Sequence, residues 1–124
     1  MPRKSSQQRV LFVCLGNICR SPLIEAVFKH RIAQLGIAQD FAAVDSCGTA
    51  AYHVGDDPDE RSAETCAKHG VPIKHKGRQL TAEDFDAFDY IFGMDKSNIE
   101  NIERKRPKGS TVPGSPLQTK QSLL

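Results

Sequence analysis

An uninterrupted apolar run at 10–14, Val-Leu-Phe-Val-Cys, shows neither the alternation of a half-buried strand nor a helical repeat, and predicts a strand buried on both faces. Over 22–35, Ile24, Val27, Phe28 and Leu35 recur near one face of a helix that Gly36 closes. Residues 42–46 form a short second strand. A strand, a helix and a strand with brief links make a βαβ unit, hence a parallel pair joined by a right-handed crossover. A second helix is expected over 59–69, closed by Gly70 with Pro72 beyond it. Thr81 and Asp84 have the spacing of a capping box and open a short helix over 81–88. A third strand follows at 90–94 with Asp95 at its end, then a helix over 97–105 that stops before Pro107. The pattern predicts an α/β fold, helices around a parallel sheet. Beyond 108 the periodicity ends in Gly, Ser, Pro, Thr and Gln. One domain at 9–107 is therefore expected between a polar extension, 1–8, and a low-complexity, disordered tail, 108–124.

The join between the first strand and the first helix carries the chemistry. Cys14 ends the strand and Arg20 stands at the helix start, with Gly16 and Asn17, two residue types that tolerate positive φ, between them. Ser21 reads as a helix N-cap and Pro22 as the first helical position. A loop of backbone N–H groups closing onto a helix N-terminus cradles an anion, and the same field favours a thiolate at Cys14. Arg20 can grip two phosphate oxygens at once. A phosphoryl group held there has sulfur in line behind phosphorus, the geometry for a cysteinyl-phosphate intermediate. A Cys-x5-Arg spacing alone is weak; the strand, the Gly-Asn turn and the Arg-Ser-Pro start give it weight. The competing reading is a buried structural Cys beside a surface Arg. Ligands in parallel sheets bind beyond the carboxyl ends of the strands, which brings Ser46 towards Cys14.

Bulk properties exclude more than they assign. A chain of 124 residues supports one core, and a net charge of +2 with pI near 8.4 is too mild to argue for nucleic acid or a membrane surface. The polar N-terminus is no signal peptide, and no apolar run has membrane length. Cys14, Cys19, Cys47 and Cys66 are not spaced for zinc, so neither metal nor cofactor is expected. Cys47 and Cys66 read as structural. The default setting is the reducing cytoplasm, where a thiol nucleophile survives.

The segment Cys14-Leu-Gly-Asn-Ile-Cys-Arg-Ser-Pro22 resembles the phosphate loop of the low-molecular-weight protein-tyrosine phosphatases. Similarity to the eukaryotic members continues through Tyr52-His53-Val54-Gly55, His75-Lys76-Gly77-Arg78-Gln79 and Met94-Asp95-Lys96-Ser97-Asn98, ending near Ser110. The resemblance implies a three-layer sandwich of the phosphotyrosine phosphatase I type. It implies Cys14 as nucleophile and Arg20 as phosphate clamp, in a loop of Leu15, Gly16, Asn17, Ile18 and Cys19. It further implies Ser21, Ser46 and His75 as the polar network bracing that loop, and Tyr52 as the aromatic lining the cleft; the Ser21 hydroxyl could instead donate to the Cys14 sulfur and stabilise its thiolate. Cys19 matches the partner of a reversible disulfide that protects the nucleophile. His53 is left without a role, as a solvated loop residue. Substrates would be phosphotyrosine proteins or small aryl phosphates, the latter as an acid phosphatase activity.

The resemblance also implies a general-acid Asp, in an Asp-Pro pair far beyond the last long helix. No Asp follows Asp95 here, and the one Asp-Pro, Asp57-Pro58, precedes the second helix, where the family has a different segment. The family's last strand and C-terminal helix are likewise without a match, as in a truncated or divergent chain. An uncovered sheet edge and apolar face are expected, with impaired turnover of phosphotyrosine, because such an acid supplies ~10²–10⁴-fold. The alternative is a non-catalytic phosphate-binding or substrate-trapping fragment. An arsenate reductase is disfavoured, since its electron relay needs further cysteines and none follows Cys66.

Overall fold

The structure is a computed structural model that describes residues 7–16, 20–71, 73 and 75–107. Its elements are β1 (Gln8–Cys14), α1 (Arg20–Gln34), β2 (Phe41–Gly48), α2 (Glu60–Lys68), α3 (Asp84–Ala87), β3 (Tyr90–Gly93) and α4 (Lys96–Lys105). Among the described residues the sheet has three parallel strands in the order β2-β1-β3, with Phe12 level with Ser46 on one side and Phe92 on the other. The α/β fold with a parallel sheet is as the sequence predicts.

The central position of β1 explains its composition. Every residue from Val10 to Cys14 is buried, and the side chains serve two cores in turn. Leu11 and Val13 join Cys47, Leu80, Phe85, Phe88, Ile91 and Ile102 on the face covered by α3 and α4. Val10, Phe12 and Cys14 join Met94 on the opposite face, where Ile24, Phe28, Phe41, Val44, Tyr90 and Phe92 pack against them. Both faces carry a helix layer, so alternation is lost and the run reads as continuously apolar. α1 crosses back over β1 and β2. Gly36 and Gly70 end α1 and α2 at φ +73° and +72°, the left-handed conformation that closes a helix.

Four expectations are corrected. α1 begins at Arg20, so Ser21 lies in its first turn and not at its N-cap; its hydroxyl is drawn inward to sulfur. The buried side of α1 is Ser21, Pro22, Glu25, Ala26 and Ile32, while Val27 and Leu35 are exposed, because the helix turns a polar pair towards the site. β2 runs on to Gly48, placing Cys47 in the core and not in a loop. The helix expected over 81–88 shortens to Asp84–Ala87. Asp84 accepts from the Thr81 N–H at 2.8 Å and from the Thr81 hydroxyl at 3.2 Å, which fixes 81–83 as a turn.

β3 pairs only with β1 among the described residues, and beside α1 the sheet leaves an apolar cavity of about 600 Å³ lined by Phe12, Ile24, Phe28, Phe41 and Phe92. Gly93 lets α4 approach the end of β3: an added Cβ would meet Ile99 Cγ1 at 2.8 Å.

Candidate functional site

Cys14 closes β1 at the carboxyl edge of the sheet. The chain beyond it is held by β2, whose continuation donates Thr49 N–H to the Cys14 carbonyl and Ala50 N–H to the Leu15 carbonyl, both at 3.0 Å. The Cys14 thiol is buried, and its Sγ lies 2.9 Å from Ser21 Oγ. Ser21, fully buried in the first turn of α1, also lies 3.4 Å from the Cys47 carbonyl oxygen. That carbonyl only accepts, so the serine proton serves either it or the sulfur. Donation to sulfur is the arrangement that stabilises a thiolate.

Arg20 opens α1 beside this pair, and its Nη2 donates to Asp95 Oδ2 at 3.1 Å. Asp95 is itself fixed, because it caps α4 by accepting the Asn98 N–H on Oδ1 at 2.8 Å. Its carboxyl is held below the ordinary value, chiefly by that backbone hydrogen bond and, against a desolvation that would raise it, by the Arg20 hydrogen bond and charge. Leu15 is half-exposed, and Gly16 follows it. Asn17, Ile18 and Cys19 lie outside the described residues, and with them the centre of the loop and the expected Cys14–Cys19 pairing.

Ser46 and His75 do come together. Ser46, fully buried on β2, donates to Glu25 Oε1 at 2.6 Å and lies 3.3 Å from His75 Nε2. His75 lies outside the named strands and helices, between α2 and α3. Its Nδ1 faces Glu25 Oε1 at 3.3 Å and Asp45 Oδ1 at 3.6 Å. Each carboxylate has a cation on its outer oxygen: Lys29 reaches Glu25 Oε2 at 2.6 Å, and Arg78 reaches Asp45 Oδ2 at 2.9 Å. Arg78 also clamps both oxygens of Asp84, at 3.0 and 3.1 Å; these acids raise its pKa against the burial that would lower it. Glu25, Asp45 and His75 present ligand atoms within 4.8 Å of one another, a set that could hold a metal ion. Lys29 and Arg78 already balance its two carboxylates, so the cluster reads as an ion-pair brace between α1, β2 and the segment carrying His75.

Tyr52 is strongly exposed in the turn after β2. His53 beside it lies against the loop: a Cβ built on Gly16 would meet His53 Cδ2 at 2.9 Å, and His53 Nδ1 is 3.1 Å from Asp56 Oδ2. Asp57 pairs with Lys76 at the surface. Cys47 and Cys66 are buried free thiols, and burial pushes both pKa values up, against Arg78 in the case of Cys47. Sequence reasoning missed Glu25, Asp45 and the partnership of Asp95 with Arg20. One local signal existed for Glu25, whose i, i+4 spacing to Lys29 marks a helical ion pair, but nothing local shows that it is buried.

The sequence model of the family described as "Low molecular weight phosphotyrosine protein phosphatase" matches residues 9–112. A low molecular weight phosphotyrosine protein phosphatase of Schizosaccharomyces pombe is 54% identical over 102 residues, covering 82% of this chain and 65% of the relative. One of Saccharomyces cerevisiae is 50% identical over 101 residues, covering 82% and 63%. Among solved structures, a protein tyrosine phosphatase of Entamoeba histolytica with Hepes in its active site superposes with a TM-score of 0.78 at 38% identity, covering 84% of this chain and 66% of that one. The chain thus spans just under two thirds of the length of these relatives.

Proposed function

Since the chain belongs to the low molecular weight phosphotyrosine protein phosphatase family, we propose that it hydrolyses phosphomonoesters through a cysteinyl-phosphate intermediate on Cys14. Residues 9–107 form the catalytic domain, and the substrates are phosphotyrosine proteins or small aryl phosphates in the cytoplasm. The observation that carries this reading is the buried Cys14 Sγ at 2.9 Å from Ser21 Oγ, with Arg20 beside it anchored on Asp95 at 3.1 Å.

Each residue has a task. Arg20 binds two oxygens of the phosphoryl group, and the N–H groups of 15–20 take up the charge on its equatorial oxygens. Cys14 attacks phosphorus from the floor of the loop. Ser21 donates to the sulfur, which favours the thiolate before attack and eases its departure when water cleaves the S–P bond. Asp95 holds the guanidinium in register, so Arg20 meets the phosphate already oriented. Ser46 and His75, braced by Glu25, form the polar support for the phosphate loop. Leu15 and Tyr52 supply apolar surface for the aromatic ring of the ester, and Cys19 is the redox partner of Cys14.

The test is turnover of p-nitrophenyl phosphate by the purified chain. Cys14→Ser abolishes it if the reading holds, and turnover that survives the change refutes the thiol route. Vanadate at about ten times its Kd should add roughly 1.4 kcal/mol and raise the unfolding midpoint by roughly 3–7 °C. Arg20→Ala should remove that shift.

A further inference from the structure

A second recess opens one residue from the nucleophile. Leu15, Thr49 and Ala50 form one wall and Asn101, Arg104 and Lys105 of α4 the other, around about 220 Å³. The first wall is tied to the site, because the Thr49 N–H donates to the Cys14 carbonyl and the Ala50 N–H to the Leu15 carbonyl, both at 3.0 Å. The second wall is set by packing: Ile102 is fully buried in the core with Val13 and Cys47, which brings the last turn of α4 to the turn after β2. Two observations give the recess a chemistry. Arg104 and Lys105 are both exposed, and neither pairs with a carboxylate among the described residues. Arg104 Nη1 donates to Asn101 Oδ1 at 2.9 Å, which steadies the guanidinium and leaves its charge uncompensated, while the neighbouring acid, Glu103, faces Arg106 at 3.5 Å. Thr49 is buried, and its carbonyl accepts from Gln79 Nε2 at 3.3 Å, yet its hydroxyl has no hydrogen-bond partner among the described residues. Buried hydroxyls are ordinarily paired, so this one is a position that a ligand group can complete. A guanidinium, an ammonium and a hydroxyl all donate, and together they suit a carboxylate.

We infer that this recess is a specificity subsite for an acidic side chain, Asp or Glu, next to the phosphotyrosine of a peptide substrate; the inference rests on the phosphatase reading above. With the phosphoryl group on Cys14, the tyrosine ring leaves the loop beside the half-exposed Leu15, which also lines the recess. Neighbouring residues of an extended peptide advance by about 3.3 Å each, so a side chain one or two positions along comes within reach of it. The flanking carboxylate accepts from Arg104, Lys105 and the Thr49 hydroxyl, and Leu15 packs on its aliphatic part. A basic residue at the same position meets two like charges, and a neutral one leaves both cations unpaired, so the subsite selects by repulsion as well as by attraction. Arg104, Lys105 and Thr49 choose the substrate and take no part in the bond changes at phosphorus.

The test uses the full chain and an otherwise uncharged phosphotyrosine peptide. A single Glu is placed in turn at each of the two positions on either side of the phosphotyrosine, and each peptide is compared with the one carrying Gln there. At one position kcat/KM for Glu should exceed that for Gln about 5-fold, the effect of one or two exposed ion pairs, and Lys at that position should fall below Gln. Arg104→Gln combined with Lys105→Gln should bring the Glu-to-Gln ratio close to one, and Thr49→Val should lower it by a smaller factor. Taking the ratio within each protein cancels any change at the loop itself. Sodium chloride at about 0.5 M should shrink the preference in the unaltered chain. A preference that survives the double variant overturns the inference. If no peptide is hydrolysed, or hydrolysis survives Cys14→Ser, the phosphatase reading fails and takes this inference with it. If hydrolysis requires Cys14 but treats Glu and Gln alike at every position, the subsite alone is excluded.

Discussion

Replacing Glu25 tests whether the buried ion-pair brace behind the loop is a source of stability. Its side chain is about 5% exposed, it accepts the Ser46 hydroxyl at 2.6 Å, and it faces His75 Nδ1 at 3.3 Å. Lys29 also pairs with it, but that ammonium is about half exposed, so the pair contributes only ~0–1 kcal/mol. The Ser46 hydrogen bond, neutral donor to charged acceptor, contributes about 1.5–3 kcal/mol. Glu25→Ala removes that acceptor and, with the weak Lys29 pair, should cost roughly 2–4 kcal/mol. For a domain of this size that is a fall of roughly 6–16 °C in Tm, large against a total stability of ~5–15 kcal/mol. Glu25→Gln keeps an acceptor for Ser46 and should cost about 1–2 kcal/mol; Lys29→Ala should cost less than about 1 kcal/mol. Urea unfolding of the three variants, read by circular dichroism, gives the order directly. A loss below about 1 kcal/mol for Glu25→Ala, or an equal loss for Lys29→Ala, would refute the brace as a stabilising element.

Asp95 has two tasks that substitution can separate. Asparagine still accepts from the Asn98 N–H, so Asp95→Asn should lower Tm only by the small contribution of the charge while weakening phosphate binding through a freed Arg20; Asp95→Ala should lose a further ~1 kcal/mol with the cap. Because the Asp95 carboxyl is held below its ordinary value, its charged contribution is complete above that value and is lost as pH falls through the lowered one. The stability gap between the unaltered chain and Asp95→Asn should therefore be level near neutrality and close below about pH 4, as unfolding at several pH values would report. Gly93→Ala places a methyl 2.8 Å from Ile99 Cγ1 and 3.1 Å from its backbone N, which should cost about 1–3 kcal/mol in chemical denaturation. Cys47 and Cys66, buried and with raised pKa values, should resist iodoacetamide at neutral pH until the chain unfolds, as peptide mass mapping would show.

The local sequence determined the elements whose signals are local. The apolar run of β1, the glycines closing α1 and α2, the tight link between β1 and α1, and the Cys14–Arg20 spacing are all statements about neighbours in the chain. So is the resemblance of that segment to a phosphatase loop. What the sequence could not reveal is what depends on residues far apart meeting. Glu25 looks like the start of a surface helical pair with Lys29; only the crossing of α1 over β2 buries it against Ser46, 21 positions away. Asp95 reads only as the end of a strand, and the parallel order β2-β1-β3 sets it beside Arg20, 75 positions earlier. Ser21 is legible both as a cap and as a donor to the Cys14 sulfur; the structure decides for the sulfur, because the helix begins two residues sooner than Pro22 and turns that hydroxyl inward. His53 drew no assignment as a loop residue; its contact with Gly16 arises because β2 runs on past Cys14 and brings the next turn across the loop. Periodicity records which face of an element is wet. It does not record which charged groups a parallel sheet gathers at its carboxyl edge, because that follows from the crossover connections and not from any repeat along the chain.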